Sequence, residues 1–216
     1  MKFQTFSANS LKLLDKSPDD FKLKYKEGLF LNQSNKSAKA GEKLHNFLCY
    51  YLKGFDMTKI EASLSEADRI FLNNIKTFDE VEKLKNAKNK DIEQPFLIKC
   101  AHKQNTAPCT QNPMSTQDAA NDTFFLTGRF DAVLRNDFQN TKNPKIKIYD
   151  WKTQNLPKNP ENDIQTMVYL YSSSKLYKTQ DISITYVSLT KNEAVEIPYN
   201  KERDYFSAIL NIVKKA

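Results

Sequence analysis

Two runs in the second half of the chain limit its fold more than any other feature. Phe124 to Leu134 and Lys145 to Trp151 are dense in aromatic and β-branched residues, the composition of β-strands. The polar Asn136–Pro144 segment between them suits a hairpin connection, so the two are expected as antiparallel neighbours. Side chains alternate along a strand, so Ile146, Ile148, Asp150 and Lys152 share one face and Trp151 turns to the other, into the core. Two isoleucines therefore lead directly to an acid and a base, ~6.5–7 Å apart along the strand. In the first run Asp131 interrupts an apolar series, and a carboxylate in mid-strand is costly unless something pairs with it. Antiparallel pairing lets Asp131 approach Asp150. Two carboxylates at close quarters repel, and a divalent cation relieves the repulsion. Lys152 beside them is suited to hold a phosphate or orient a water.

The first half reads as helical. Ser7 starts a short helix carrying Leu11, Leu13 and Leu14. Ser17 can cap a second, with Pro18 in its first turn, Asp19 and Asp20 complementing the dipole, and Phe21 and Tyr25 on one face. Gly28 is a stop signal. Ser34–Lys39 reads as a loop, and Ala40–Leu52 as a helix with Leu44, Phe47, Leu48 and Tyr51 on one stripe, ended by Gly54. A further helix starts near Ser65, with Asp68 placed for capping and Ile70, Phe71, Ile75 and Phe78 along it. Residues 80–91 are charged and read as surface.

Beyond Asp91 the character changes. Pro95–Lys99 reads as a strand start, and 101–122 as a long polar hairpin loop or insertion. After the two strong strands, Pro157 and Pro160 bracket a loop. A helix is expected over about 162–176, strands over 182–189 and 194–199, and a closing amphipathic helix over 201–214. The expectation is one α/β (α+β-like) domain over residues 1–216: 1–90 mainly helical, forming an N-terminal helical layer, and 91–216 a β-sheet core with flanking helices.

Charge and composition narrow the partners. The chain of 216 residues carries a net charge of +7, which favours partners that carry phosphate. With 14 Phe and 10 Tyr it has the apolar content of a globular protein rather than a disordered one. No apolar run approaches the ~18–20 residues of a membrane span, and no secretory h-region follows Met1. Three cysteines, Cys49, Cys100 and Cys109, fit a reducing cytoplasm better than a disulfide scaffold. Cys100, His102 and Cys109 lack a nearby fourth ligand for zinc.

Gly128-Arg129-Phe130-Asp131, then Asp150-Trp151-Lys152-Thr153, then Gln165-Thr166-Met167-Val168-Tyr169, in this order, resemble the PD-(D/E)XK nuclease superfamily, and within it the RecB-type and Cas4-type exonuclease branch. That branch has an upstream G-x-x-x-H helix, which Gly41-Glu42-Lys43-Leu44-His45 matches, and Phe6–Leu11 with Phe21 and Tyr25 resembles its opening. The resemblance implies a central mixed sheet of the restriction-endonuclease-like type flanked by helices, and a metal-dependent DNA nuclease, most simply an exonuclease of repair, recombination or defence. It implies that Asp131, Asp150, the Trp151 backbone carbonyl and His45 hold Mg²⁺ or Mn²⁺, the imidazole tilting preference towards Mn²⁺. Lys152 would stabilise charge in the transition state, and Gln165 and Tyr169, one helical turn apart, would contact DNA. Glu93 is a possible further acid. The substrate would be single-stranded DNA, or double-stranded DNA with ends. Some members bind an iron–sulfur cluster through one N-terminal and three C-terminal cysteines. That set is missing here, so no iron–sulfur cluster is expected. There is no G-x-x-x-x-G-K-[ST] loop, so any helicase or repair partner would be a separate chain. The rival expectation is a catalytically inactive nucleic-acid-binding or scaffolding module with the same fold.

Overall fold

The computed structural model describes residues 4–29, 36–101, 123–136 and 145–216. A short strand β1, Thr5–Phe6, leads into α1, Ala8–Lys16. A capping box starts α1, in which Ser10 N–H donates to the Ser7 hydroxyl and Ser7 N–H to the Ser10 hydroxyl. Ser17 caps α2, Pro18–Phe21, as its sequence suggests, and a π-helical turn over Lys22–Lys26 prolongs it. The helices α3, Lys36–Lys53, α4, Thr58–Ala62, α5, Glu66–Lys76, and α6, Asp79–Asn86, follow. Then come β2, Lys90–Ala101, β3, Thr123–Asn136, and β4, Lys145–Lys152. The chain closes with α7, Ile164–Tyr177, β5, Ile182–Ser188, β6, Glu193–Pro198, and α8, Tyr205–Val213.

Several boundaries differ from the sequence reading. The helix expected from Ala40 begins at Lys36, because Lys, Ser, Ala and Lys there contain no breaker. Phe78 lies beyond α5, at the residue before α6. Residues 80–91 are not merely surface. Within α6, Val81 and Leu84 are fully buried, an i, i+3 stripe hidden among charges. β2 begins at Lys90, because pairing with β3 recruits polar residues that lack strand propensity of their own. The closing helix starts at Tyr205 rather than Lys201, where the Asp204 carboxylate accepts Ser207 N–H at 2.9 Å. The polar segment 102–122, with His102 and Cys109, lies outside the described residues, as does 137–144.

The sheet is mixed, in the order β1-β3-β4-β5-β6, with β2 alongside β3. β3 is antiparallel to β2 and β4, as expected for the latter, and parallel to β1. β4 and β5 are parallel, joined by the α7 crossover that parallel strands require. One face of the sheet packs on α1, α7 and α8 through Phe6, Leu11, Leu126, Ile146, Ile148, Val168 and Ile209. The other packs on α3, α5 and α6 through Leu48, Ile75, Val81, Tyr149 and Trp151. The N-terminal helices are thus divided between the faces. β1 enters beside β3, with Thr5 opposite Phe125, and carries α1 to the α7 side.

β3 has neighbours on both sides at its ends but not in its middle. β1 covers Phe125 and Leu126, and β4 covers Ala132 to Asn136. Between these stretches neither strand pairs with residues 127–131, which leaves a notch in the sheet.

Candidate active site

Asp131 stands at the rim of this notch. Continuing the β3–β4 register one step past Ala132↔Tyr149 brings Asp131 opposite Asp150. The ladder stops there because the Asp131 side chain takes over a backbone donor: Trp151 N–H donates to its Oδ2 at 2.8 Å. The acid thereby satisfies a buried N–H that the interrupted ladder would leave orphaned. Both carboxylates are buried, Asp131 9% and Asp150 4% exposed.

Asp150 follows Ile146 and Ile148 on the face towards α7, while Tyr149 and Trp151 stack on each other on the opposite face, as strand alternation requires. Three groups converge on it. Gln165, in the first turn of α7, donates from Nε2 to Asp150 Oδ1 at 2.6 Å and accepts from Lys152 Nζ at 3.0 Å through Oε1. Lys152 Nζ folds back to 2.6 Å from Asp150 Oδ2, an ion pair lacking hydrogen-bond alignment. The ammonium also lies 5.1 Å from the centre of the Tyr186 ring. Asp163 fixes the start of α7 by accepting Gln165 N–H at 2.7 Å, so the turn that carries Gln165 is held in place.

His45 comes from α3 on the other side of the sheet edge, with Nδ1 3.5 Å from Asp131 Oδ1. Four residues before it, Gly41 makes the approach possible. A Cβ at Gly41 would stand 3.0 Å from the Thr153 hydroxyl oxygen, just past the end of β4. Gly128 performs a similar task in β3, where a Cβ would come within 2.6 Å of the Phe96 ring. That ring lies over the glycine and stacks on Phe130 at 4.6 Å, closing the core beneath the notch.

Glu93 completes the cluster. In the β2–β3 register it falls opposite Asp131, but the pair is missing from the ladder, and Glu93 has φ +62°, a conformation costly for a residue with a Cβ. The sides of the sheet change over here. Phe96, Ile98 and Cys100 pack on the α7 side, and Ile92 on the α3 side. Phe124, Leu126 and Phe130 of β3 pack on the α7 side, and Ala132 on the α3 side. Alternation therefore slips by one in both strands at the two acids. Arg129, exposed, pairs with Glu93 through Nε at 2.5 Å.

Electrostatics follow from this crowding. Burial, reinforced by the Asp131 charge, pushes the Asp150 carboxyl up to about 6, against the pull of Lys152 and His45. Burial also raises Glu93, opposed by Arg129. For His45 burial acts downwards, but the hydrogen bond to Asp131 and the charges of Asp131, Asp150 and Glu93 prevail, and the imidazole is raised. Burial and the two aspartates push the Tyr169 hydroxyl far above its usual range.

Of the residues singled out in the sequence, His45, Glu93, Asp131, Asp150, Lys152 and Gln165 meet in one place. Tyr169 is 8% exposed and donates to the Arg129 carbonyl at 3.0 Å, so it holds β3 at the notch from within. For Trp151 it is the N–H that is engaged, by Asp131. The sequence reading gave no task to Arg129, although an arginine two residues before a mid-strand acid was a visible signal.

Carboxylates are ligands of hard divalent cations, and an imidazole shifts the preference towards transition metals. Asp150 Oδ2 is buried against the Lys152 ammonium, 2.6 Å away, so positive charge already meets this oxygen. Among the described residues no three acidic, histidine or cysteine side chains are already gathered into a cage. Instead His45 and Lys152 stand against the two aspartates and offset the charge a cation would neutralise.

No curated protein matches the chain. The crystal structure of SSO0001 shares 17% identity with it, at a TM-score of 0.51, over 99% of this chain and 75% of that one, which is a likeness of fold. The sequence profile of the PD-(D/E)XK nuclease superfamily matches residues 5–216, a span that contains the notch and all six converging side chains. A mixed sheet flanked by helices, with an acid on one strand and Asp-x-Lys on the next, agrees with that match, and the chain belongs to the PD-(D/E)XK nuclease superfamily.

Proposed function

We propose that the protein is a metal-dependent deoxyribonuclease, acting as an exonuclease of the RecB/Cas4 type in repair, recombination or defence. The observation that carries this reading is the convergence of Asp131, Asp150 and Lys152, with Asp150 buried and its Oδ2 faced by the Lys152 ammonium at 2.6 Å. Asp131 and Asp150, with His45 and the Trp151 carbonyl, would hold Mg²⁺ or Mn²⁺, and Glu93 would add a further acid. The ion would polarise the phosphate and lower the pKa of a water for in-line attack.

The protein's own groups supply the rest. Lys152 would place its ammonium beside the phosphate and stabilise negative charge in the transition state. Gln165 keeps Lys152 and Asp150 in register, since one amide group bonds to both. Trp151 N–H orients Asp131, and Tyr169 fixes the backbone two residues before it. Arg129 is exposed next to Glu93 and can meet a phosphate of the incoming strand.

The test is degradation of single- and double-stranded DNA with Mn²⁺ by wild type and Lys152→Ala. The variant is expected to lose at least a hundredfold in rate. Equal rates would refute the assignment. Calorimetry with Mn²⁺ should show binding that Asp131→Ala abolishes; absence of binding in the wild type would point to an inactive nucleic-acid-binding or scaffolding module.

A further inference from the structure

A second feature lies on the α3 side of β2. A groove of about 540 Å³ is lined by Lys53 at the end of α3, by Lys85 and Lys88 at the end of α6, and by the start of β2, with Lys90, Asp91 and Gln94. Four of these residues are lysines. The single acid, Asp91, is already paired with Arg135 at 2.9 Å. Lys85 and Lys90 both turn their ammonium groups to carbonyls, of Tyr51 and Lys85 respectively, each at 2.6 Å. Among the described residues none of the four forms an ion pair. Burial and the neighbouring Lys85 charge lower the Lys90 ammonium, so the groove holds more positive charge than it can offset.

The groove adjoins the site. Gln94 is next to Glu93, and Lys53 is near enough for its charge to act on the Glu93 carboxyl. From Glu93 to Lys90 the distance along β2 is ~10 Å. Next to Gly54 in the chain, Phe55 is 59% exposed, with its ring edge-on to Tyr50, itself 46% exposed, at 5.6 Å. An exposed aromatic pair beside uncompensated lysines provides stacking for bases and charge for phosphates. A base-paired duplex keeps its base faces stacked inside, whereas a single strand can present them to aromatic rings.

We propose that this groove binds the phosphates of a single nucleic-acid strand running past the cut site, with Phe55 and Tyr50 stacking on its bases. The proposal rests on the nuclease reading and assigns it a substrate class: single-stranded nucleic acid, held several nucleotides from the scissile bond. Strands too short to reach from Glu93 to Lys90 would gain nothing from the groove.

Binding of a fluorescein-labelled twelve-residue oligothymidylate, measured by anisotropy in EDTA, tests it without any cleavage. The variant carries Lys53→Gln and Lys88→Gln, both at exposed positions. Each phosphate contact on a single strand contributes about 0.7 to the salt slope, so two lost contacts flatten the slope by about 1.4 and weaken binding about 25-fold at 0.1 M salt. Phe55→Ala should weaken single-strand binding fivefold or more. The proposal is overturned if the double variant, folded as judged by circular dichroism, binds like wild type. A blunt duplex of equal length bound as tightly as the single strand also overturns it. So does inorganic phosphate that binds as tightly as the oligonucleotide, which would mark a site for free phosphate. Cleavage by wild type and Lys152→Ala is scored separately. Groove-dependent binding with no Lys152-dependent cleavage refutes the nuclease and keeps the groove; the reverse pattern refutes the groove alone.

Discussion

Asp150→Asn should stabilise the metal-free protein at neutral pH, by an amount that the burial of Asp150 sets. In the unfolded chain this carboxyl titrates at its ordinary value, 3.8, and in the folded chain at about 6. The folded state therefore binds more protons than the unfolded state between those values, and stability falls as pH rises through the window. Two units at 1.36 kcal/mol each give a loss of about 3 kcal/mol, complete above pH ~6. Asn is nearly isosteric with the protonated acid, so the variant should match wild type near pH 4 and exceed it by up to about 3 kcal/mol at pH 7.5. For a chain of this size that is a difference of roughly 6–12 °C in Tm. The assay is thermal unfolding in EDTA across pH 4.5–7.5. The groups facing Asp150 are common to both proteins: Asp131 from β3, His45 from α3, Lys152 on its own strand and Gln165 from α7. The raised His45 also lends stability that is lost as pH rises through its folded value, but this is common to both chains and largely drops out of the difference. Saturating Mn²⁺ should raise the Tm of wild type and leave the variant nearly unchanged. A difference that stays flat with pH, or a variant less stable than wild type at pH 7.5, would refute the account of Asp150 as a destabilising charge awaiting a cation.

The two glycines give sharper steric tests. Gly128→Ala puts a methyl into the space of the buried Phe96 ring, which cannot move without leaving Phe130, and should cost about 1–3 kcal/mol in urea unfolding; near-native stability would mean that the ring is free to swing. Gly41→Val should push α3 from Thr153 and lower the Mn²⁺-dependent rate about tenfold, with Thr153→Ala in the same chain recovering most of it. No recovery would place the effect elsewhere than at that contact.

How much of this was legible depended on whether the signal was local. The Ile146–Lys152 strand declares its own period, so its faces, its antiparallel neighbour and the Asp131–Asp150 approach follow from the residues alone. Ser17 and Ser65 announce helix starts in the same local way. β1 and the first half of β2 could not be read. Thr5–Phe6 and Lys90–Gln94 are strands only because β3 lies beside them, and a pairing partner more than thirty residues away leaves no mark on local composition. The salt bridge of Arg129 to Glu93 was hidden for the same reason, since it joins two strands across a register that the sequence does not state. Val81 and Leu84 were obscured by the charges around them, which outvote a two-residue apolar stripe in any averaged window.

Glu93 is where the local and the distant meet, and its backbone can be tested independently of its carboxylate. In an ordinary strand interior, Gly is less stable than Ala by about 0.5–1 kcal/mol. At φ +62° a residue with a Cβ is strained by about 1–2 kcal/mol, and glycine is not. The order of the two substitutions should therefore invert, with Glu93→Gly more stable than Glu93→Ala by about 1 kcal/mol in urea unfolding. Both remove the acid and the partner of Arg129, so both should lose the same share of Mn²⁺-dependent cleavage. If Glu93→Ala is the more stable of the two, the strand is regular there and the slip in alternation has another origin. If the two agree in activity and invert in stability, the strained backbone serves only to hold a third carboxylate opposite Asp131, which a regular strand would have turned to the other side of the sheet.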